Sequence, residues 1–285
     1  MNLKQLLQFF TNELSNIYDR DEISSVFYLV TEHLTGMRRS QATMAHDDPL
    51  SADAHEVYIK ILERLKAGEP LQYVLGEASF FGLTFRVNKN VLIPRPETEE
   101  LVDWVIRSCN TRKGLQILDI GTGSGCIAVS LKKFIPEAVV TALDISEEAL
   151  EVAGNNALLN DVDVHFVQAD ILTFSTADKY DIIVSNPPYI GGSEKAEMHA
   201  NVLDFEPHLA LFVADERPLL FYEAIADFAK VSLRKGGLLF FEINARYGVE
   251  TVKMLSSKGF TNIELKQDMQ GNDRMIRANF LDGTA

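Results

Sequence analysis

Asn186-Pro187-Pro188-Tyr189, within Ser185–Ile190, combines residue types suited to holding a planar –NH2 group. Two consecutive prolines fix φ and remove two backbone donors, so carbonyl acceptors are what remain there. An asparagine side-chain carbonyl and a backbone carbonyl can together accept both hydrogens of the –NH2 group. A tyrosine ring can lie flat against the π-system that carries it. The chemistry is positioning: an amide or amidine nitrogen is held with its lone pair aimed at an electrophile, and no metal, thiol or strong base is required. Such positioning supplies about 7–11 kcal/mol, and hydrogen bonds to the nitrogen strengthen as it becomes cationic. Asn-Pro alone is also an ordinary turn opener, so this reading depends on what lies upstream.

Upstream is a glycine-rich loop, Leu118-Asp-Ile-Gly-Thr-Gly-Ser-Gly125, with glycines at 121, 123 and 125 and Thr122 and Ser124 between them. Glycine permits a tight turn and lets a ligand approach the amides at a helix N-terminus. The dinucleotide fingerprint needs a third glycine or alanine where Cys126 stands, so a nicotinamide site fits poorly. Asp144, about 20 residues on, ends the next apolar run, where a carboxylate can accept from both hydroxyls of a ribose. Its competing role is a helix N-cap, which Ser146 can fill instead. Asp170, beyond the third run, is placed to approach an adenine edge.

These residues need a scaffold that brings strand ends together. From residue 115 strand and helix patterns alternate, as in an α/β fold with a mainly parallel sheet. Strands are expected at Leu115–Ile120, Ala138–Leu143, Val162–Val167, Asp181–Ser185 and Leu238–Ile243, with helices at Ile127–Phe134, Glu147–Leu159, Leu219–Leu233 and Val249–Lys258. Phe260–Lys266 and Met275–Phe280, joined by a polar turn, read as a closing antiparallel hairpin. In such sheets ligands bind outside the carboxyl ends of the strands, so the glycine loop and the Asn186 loop face one crevice. Gly191-Gly192 and the polar residues after them read as a loop able to order around a substrate.

The N-terminal part is helical in pattern. Leu3, Leu6, Leu7, Phe10, Leu14 and Ile17 form one stripe, and Ile23, Val26, Phe27, Val30 and Leu34 a second that stops at Gly36. A third, with Val57, Tyr58, Ile61, Leu62 and Leu65, has capping-box spacing at Asp53 and Glu56 and ends at Gly68 and Pro70. Three such stripes can bury one another as a small bundle. Residues 71–96 read as a connector: Phe81, Leu83, Phe85 and Val87 alternate, Asn88-Lys89-Asn90 is turn-like, and Val91-Leu92-Ile93 follows, a hairpin signature.

The 285 residues carry 27 Lys and Arg against 41 Asp and Glu, a net charge of −14 that opposes binding to a phosphate backbone. Two cysteines cannot build a disulfide framework, and the six histidines have no metal or triad spacing. The N-terminus alternates apolar and polar residues, unlike a signal peptide, and no apolar run reaches membrane-spanning length. A soluble cytoplasmic protein is the expectation. Trp104, on an apolar helical face, is expected in the core.

With these motifs in place, the chain resembles S-adenosylmethionine-dependent methyltransferases of the seven-stranded type, and within them the release-factor glutamine methyltransferase family (HemK/PrmC). The resemblance rests on residues 71–85 (LQYVLGEASFFGLTF), 92–102 (LIPRPETEELV), 118–131 (LDIGTGSGCIAVSL), 185–190 (SNPPYI), 205–212 (FEPHLALF) and 272–275 (NDRM). NPPY also occurs in enzymes that methylate exocyclic amines of adenine. The Arg95 segment and the N-terminal helices narrow the match.

The resemblance implies a seven-stranded Rossmann-like sheet with an N-terminal helical bundle for substrate docking (1–70), a β-hairpin connector (71–96) and a methyltransferase domain (97–285). It implies methylation of the side-chain amide nitrogen of the glutamine in the Gly-Gly-Gln motif of bacterial peptide chain release factors, with S-adenosylhomocysteine as product. Gly121, Thr122, Gly123, Ser124, Gly125, Asp144 and Asn186 would bind S-adenosylmethionine, and Asp170 and Ile171 would flank its adenine. Asn186, Pro187 and Pro188 would hold the glutamine, with Tyr189 packed on it. Glu97 and Glu206 have two readings, as pocket residues or as structural carboxylates. Arg95 either binds a substrate carbonyl or ties the connector to the core. Release factors are the partners expected, with no nucleic acid, no membrane and a monomeric chain.

Overall fold

The computed structural model describes residues 1–109 and 114–280. Its contacts divide the chain into two units: Met1–Gly76 with His199–Phe205, and Glu77–Met198 with the chain from Glu206 onward.

The first unit is built on α1 (Leu3–Leu14), α2 (Arg20–Thr35), α3 (Arg39–Met44), α4 (Ala52–Lys66) and α5 (Leu71–Leu75), joined by the returning segment 199–205. The expected stripes meet in one core, where Phe10 and Phe27 pack edge to face at 5.3 Å and Tyr58 stacks on Phe27 at 6.0 Å. Burying side chains of this size contributes about 1.5–3 kcal/mol each. Three expectations need correction. Ile17 lies beyond α1 and is exposed, and Val57 is exposed on α4. The cap of α4 is Ser51, whose hydroxyl accepts from Ala54 N at 3.1 Å, because the helix begins at Ala52 and leaves Asp53 inside its first turn. The six residues of α3 are too short to display a helical period.

In the second unit, β1 (Glu77–Phe80) and β2 (Leu83–Arg86) form the hairpin, but its turn is Phe81-Gly82 rather than 88–90. Both turn residues have positive φ, as a two-residue type I′ loop requires. Phenylalanine there carries no turn signal. Glu99 stabilises it by accepting from Phe81 N at 2.8 Å. Asn88–Asn90 is a turn, closed by Val91 N to Asn88 O at 3.1 Å, and residues 91–95 belong to no strand.

There follow α6 (Pro96–Ser108), β3 (Gln116–Ile120), α7 (Cys126–Phe134), β4 (Val139–Asp144), α8 (Glu147–Leu159), β5 (His165–Gln168), β6 (Tyr180–Ser185) and β7 (Ile190–Gly191). Next come α9 (Ala200–Phe205, in the first unit), α10 (His208–Leu211), β8 (Phe212–Val213), α11 (Leu220–Ser232), β9 (Leu233–Glu242), α12 (Gly248–Ser257), β10 (Phe260–Gln267) and β11 (Asp273–Phe280). Seven strands make one sheet in the order β10-β11-β9-β6-β3-β4-β5. Strands β9, β6, β3, β4 and β5 are mutually parallel, and β11 pairs antiparallel with both β9 and β10.

Helices cover both faces, so the central strands read as continuous apolar runs. The two-residue period then sends neighbours to opposite cores: Ile117, Ile182 and Phe240 to one, Leu118, Ile183 and Phe241 to the other. Trp104 is 8% exposed and packs edge to face on Phe240 at 5.6 Å, in the core as expected. The chain runs outward from β3 through β4 to β5 and returns to β6 on the other side of β3. That reversal opens a crevice at the carboxyl ends of β3, β4 and β6.

Candidate active site

The crevice holds a cavity of about 510 Å³ within the second unit. Three of its walls are strand ends or the loops after them, and helix residues such as Thr98, Leu209 and Phe221 complete the lining.

The first wall is the glycine loop after β3. Gly121 N and Thr122 N donate to Leu143 O at 2.8 and 3.0 Å, which seats the loop on the end of β4. Gly121 and Gly123 have φ of +73° and +54°, and a side chain at either would meet no protein atom within 4 Å. Both are bare because the space belongs to the cavity. Gly125 is different. It does not line the cavity, and a Cβ there would stand 3.0 Å from the Ala153 Cβ, so this glycine lets α7 pack on α8.

Asp144 forms the second wall. Its carboxylate accepts from Gly123 N at 2.8 Å and Ser146 N at 3.0 Å, clamping the glycine loop to the end of β4. Ser146 does take the capping role, accepting from Ala149 N at 3.1 Å, which leaves the remaining lone pairs of Asp144 to a ligand. Burial lifts this carboxyl above the usual range even though amides of Ser146, Gly123 and Ile145 oppose the shift. Thr122, Ser124, Asp170 and Ile171 also line the cavity.

Asn186, Pro187 and Pro188 line the third wall. The end of β6 is tied to β3 by Ser185 Oγ donating to Ile120 O at 2.7 Å. Tyr189 departs from expectation: it does not line the cavity but packs on the second core, with its hydroxyl donating to Glu242 Oε1 at 3.2 Å. The ring is therefore committed to the core.

Arg95 lines the cavity, whereas Glu206 and Glu97 do not. Glu206 is buried, accepts from Arg95 Nη2 at 2.5 Å and from Ile93 N at 3.2 Å, and so fastens the extended segment that forms one side of the cavity. Glu97 is met by Gln270 Nε2 at 3.5 Å. Glu206 is thus packed against the connector, while Arg95 both reaches Glu206 and lines the cavity.

Several residues in and around the site carry no sequence signal of their own. Asn156, buried on α8, donates to Ser124 O at 2.8 Å and Arg86 O at 2.9 Å and accepts from Arg86 N at 2.6 Å, bracing the glycine loop against β2. Asp119 is buried at the end of β3, with Thr122 Oγ1 donating to its Oδ2 at 2.6 Å. Its Oδ1 has no hydrogen-bond partner among the described residues. Burial pushes its carboxyl up to about 7. Cys126 lines the cavity too, but burial pushes its thiol up to about 12, so it is no nucleophile at neutral pH. Among the described residues no cluster of three or more His, Cys, Asp or Glu could hold a metal ion, and no helix is long and apolar enough to cross a membrane.

Residues 102–204 match the methyltransferase small domain, and residues 5–76 match the PrmC N-terminal domain. The chain is 48% identical to a release factor glutamine methyltransferase from Flavobacterium psychrophilum over 98% of its own length and all of that protein. It belongs to the release factor glutamine methyltransferase family. A second member, from Bacteroides thetaiotaomicron, is 43% identical over 97% of this chain and 100% of its own. A methyltransferase structure from Pyrococcus furiosus shares the fold, at a TM-score of 0.51 and 18% identity over 81% of this chain and 98% of that one.

The release factor glutamine methyltransferase family uses S-adenosylmethionine, and the donor set fits it. The bare glycines leave room against backbone, and the Asp144 carboxylate suits ribose hydroxyls.

Proposed function

We propose that this chain transfers the methyl group of S-adenosylmethionine to the side-chain amide nitrogen of the glutamine in the Gly-Gly-Gln motif of bacterial peptide chain release factors, a step that serves translation termination. The observation that carries it is the convergence of the glycine loop, Asp144 and Asn186-Pro187-Pro188 on one cavity in a member of this family. When bound, S-adenosylmethionine supplies an electrophilic methyl group on a sulfonium.

The chain's own residues do the positioning. The loop at 121–124 and Asp144 hold the cofactor's polar groups, and Asp170 and Ile171 flank the adenine. Asn186 Oδ1 and the Pro187 carbonyl accept the two N–H groups of the glutamine amide. A neutral amide is a poor nucleophile because its lone pair is delocalised into the carbonyl. Polarising both N–H bonds favours pyramidalisation, and the two acceptors bind more tightly as positive charge grows on nitrogen, so they stabilise the transition state above the ground state. The proton then leaves to water, with no side chain assigned as base. The helices of residues 1–70 serve as the docking platform for the release factor. The chain works as a monomer in the cytoplasm, with the release factor as its partner and no nucleic acid.

The test is mass spectrometry of a purified release factor incubated with this protein and S-adenosylmethionine, with Asn186→Ala as control. A gain of one methyl group on the Gly-Gly-Gln glutamine, lost in a control that still binds cofactor, is the expected result. No gain with the wild type, or full activity in Asn186→Ala, overturns the reading. Methylation of an adenine-containing oligonucleotide instead would reassign the substrate.

A further inference from the structure

A side-chain amide has two ends of nearly equal size and opposite hydrogen-bonding sense. At Asn186 the choice matters, since an –NH2 end turned toward an amide nitrogen would set donor against donor. We propose that Thr98 and Glu242 are positioning residues that orient the Asn186 amide, so that its carbonyl is the end offered to the substrate nitrogen. The reaction this serves is the one proposed above; the orientation itself rests on three hydrogen bonds.

Asn186 Nδ2 donates to Thr98 Oγ1 at 3.3 Å. The Thr98 hydroxyl donates to Glu242 Oε2 at 2.7 Å, and the Tyr189 hydroxyl donates to Glu242 Oε1 at 3.2 Å. Glu242 ends β9, the neighbour of β6, and is 2% exposed. An ionised carboxylate only accepts, so both hydroxyl protons are drawn toward it. Threonine has one hydroxyl proton. Once that proton is committed to Glu242, the Thr98 oxygen can only accept, and the group it can accept from is the Asn186 –NH2. A flipped amide would lose this bond and place two acceptors face to face. One buried carboxylate therefore sets the sense of the whole chain of hydrogen bonds.

Burial raises the Glu242 carboxyl above its ordinary value; against that shift the hydroxyl donors Thr98 and Tyr189 and the charge of Arg274, on β11 and itself held by Asp268 at 3.1 Å, favour the ionised form. The same bonds explain why Tyr189 stands outside the cavity: its hydroxyl is the second donor that the carboxylate needs. Thr98 is buried but lines the cavity beside Asn186, so the relay reaches the ligand space at the one residue it orients.

The experiment uses the full chain, S-adenosylmethionine and a release factor, with Thr98→Val, Thr98→Ser and Glu242→Gln checked for folding by thermal melts. Thr98→Val keeps the shape and removes the hydroxyl. Its kcat is expected to fall about 10- to 100-fold, with Thr98→Ser recovering most of the loss. In Glu242→Gln the new amide can donate to Thr98 and free its proton for the Asn186 carbonyl, so kcat falls there as well. A second readout needs no substrate: the Asn186 side-chain –NH2 signal, from selectively 15N-labelled asparagine and assigned by its absence in Asn186→Ala. It should exchange slowly with solvent in wild type and Thr98→Ser, and faster in Thr98→Val and Glu242→Gln.

If Thr98→Val turns over like wild type, if Thr98→Ser falls as far as Thr98→Val, or if the amide exchange does not respond, the positioning role is overturned. If the amide responds but wild type leaves the release factor unmethylated, the proposed function falls and the orientation stands.

Discussion

Two glycines of one loop should fail in opposite ways when replaced by alanine. Gly123 and Gly125 both have positive φ, +54° and +80°, so each alanine variant carries the strain of a left-handed residue, about 1–2 kcal/mol. Alanine also restricts the unfolded chain, which returns about 0.4–1 kcal/mol. For Gly123→Ala nothing else opposes the methyl group, because no protein atom lies within 4 Å of it. The net cost to folding is about 1 kcal/mol, a Tm drop of roughly 2–4 °C.

That methyl group stands in the cavity, however, and crowding a bound ligand costs about 1–3 kcal/mol, a rise in Kd of roughly 5- to 150-fold. For Gly125→Ala the added carbon meets the Ala153 Cβ at 3.0 Å and its Cα at 3.2 Å, well inside the preferred carbon–carbon separation. Forcing α7 from α8 adds about 1–3 kcal/mol. The total is about 2–4 kcal/mol, a Tm drop of roughly 5–15 °C. Thermal denaturation without ligand and calorimetric titration with S-adenosylmethionine separate the two effects. The division between cavity and packing glycine is wrong if Gly123→Ala proves the less stable, or if Gly125→Ala loses more affinity than Gly123→Ala.

Asp144→Asn leaves one oxygen to serve Gly123 N, Ser146 N and the ligand, so S-adenosylmethionine affinity should fall about tenfold or more; calorimetry showing wild-type affinity would remove Asp144 from the binding set. Asp119 carries a carboxyl raised from 3.8 to about 7 by burial, so the folded chain keeps a proton that the unfolded chain has released. Stability therefore declines as pH rises from about 4 to about 7 and levels off above that. Asp119→Asn lacks this slope and should gain on wild type across the window in urea titrations, whereas a difference independent of pH would contradict the assignment. Glu206→Gln keeps an acceptor for Ile93 N but gives up the charge facing Arg95, whose side chain is 34% exposed. The expected cost, discounted for that exposure, is about 1–2 kcal/mol in denaturant unfolding, and an unchanged midpoint would show that the ion pair contributes nothing.

The elements of the second unit were legible because their signals are local. Helix α8 begins and ends where its pattern does, at Glu147 and Leu159, since Ser146 caps it and its apolar face is continuous. The strands of the sheet end within a few residues of where their apolar runs do, except that β9 starts at Leu233 and not Leu238, its first residues being polar and glycine-rich. The hairpin turn lies at Phe81-Gly82, where no local signal marks it, because Phe81 takes a left-handed conformation supported by a carboxylate on α6, a partner 18 residues away. Helix α3 has no legible period because its six residues make less than two helical turns.

Amino-acid order alone determined the alternation of strand and helix, the glycine turn after β3, the carboxylate at the end of β4 and the proline-stiffened loop after β6. Each depends on backbone propensity or on a periodicity within a dozen residues. Tertiary structure decided which neighbours of those residues face the ligand space. Gly125 and Tyr189 adjoin cavity-lining residues in the chain yet turn into the packing, whereas Thr98 and Glu242, 88 and 56 residues from Asn186, come together with it (186 − 98 and 242 − 186). Such contacts form only when the sheet order sets β9 beside β6 and α6 against both. No local pattern encodes them, because a hydrogen bond between distant residues is selected by the packing of whole elements.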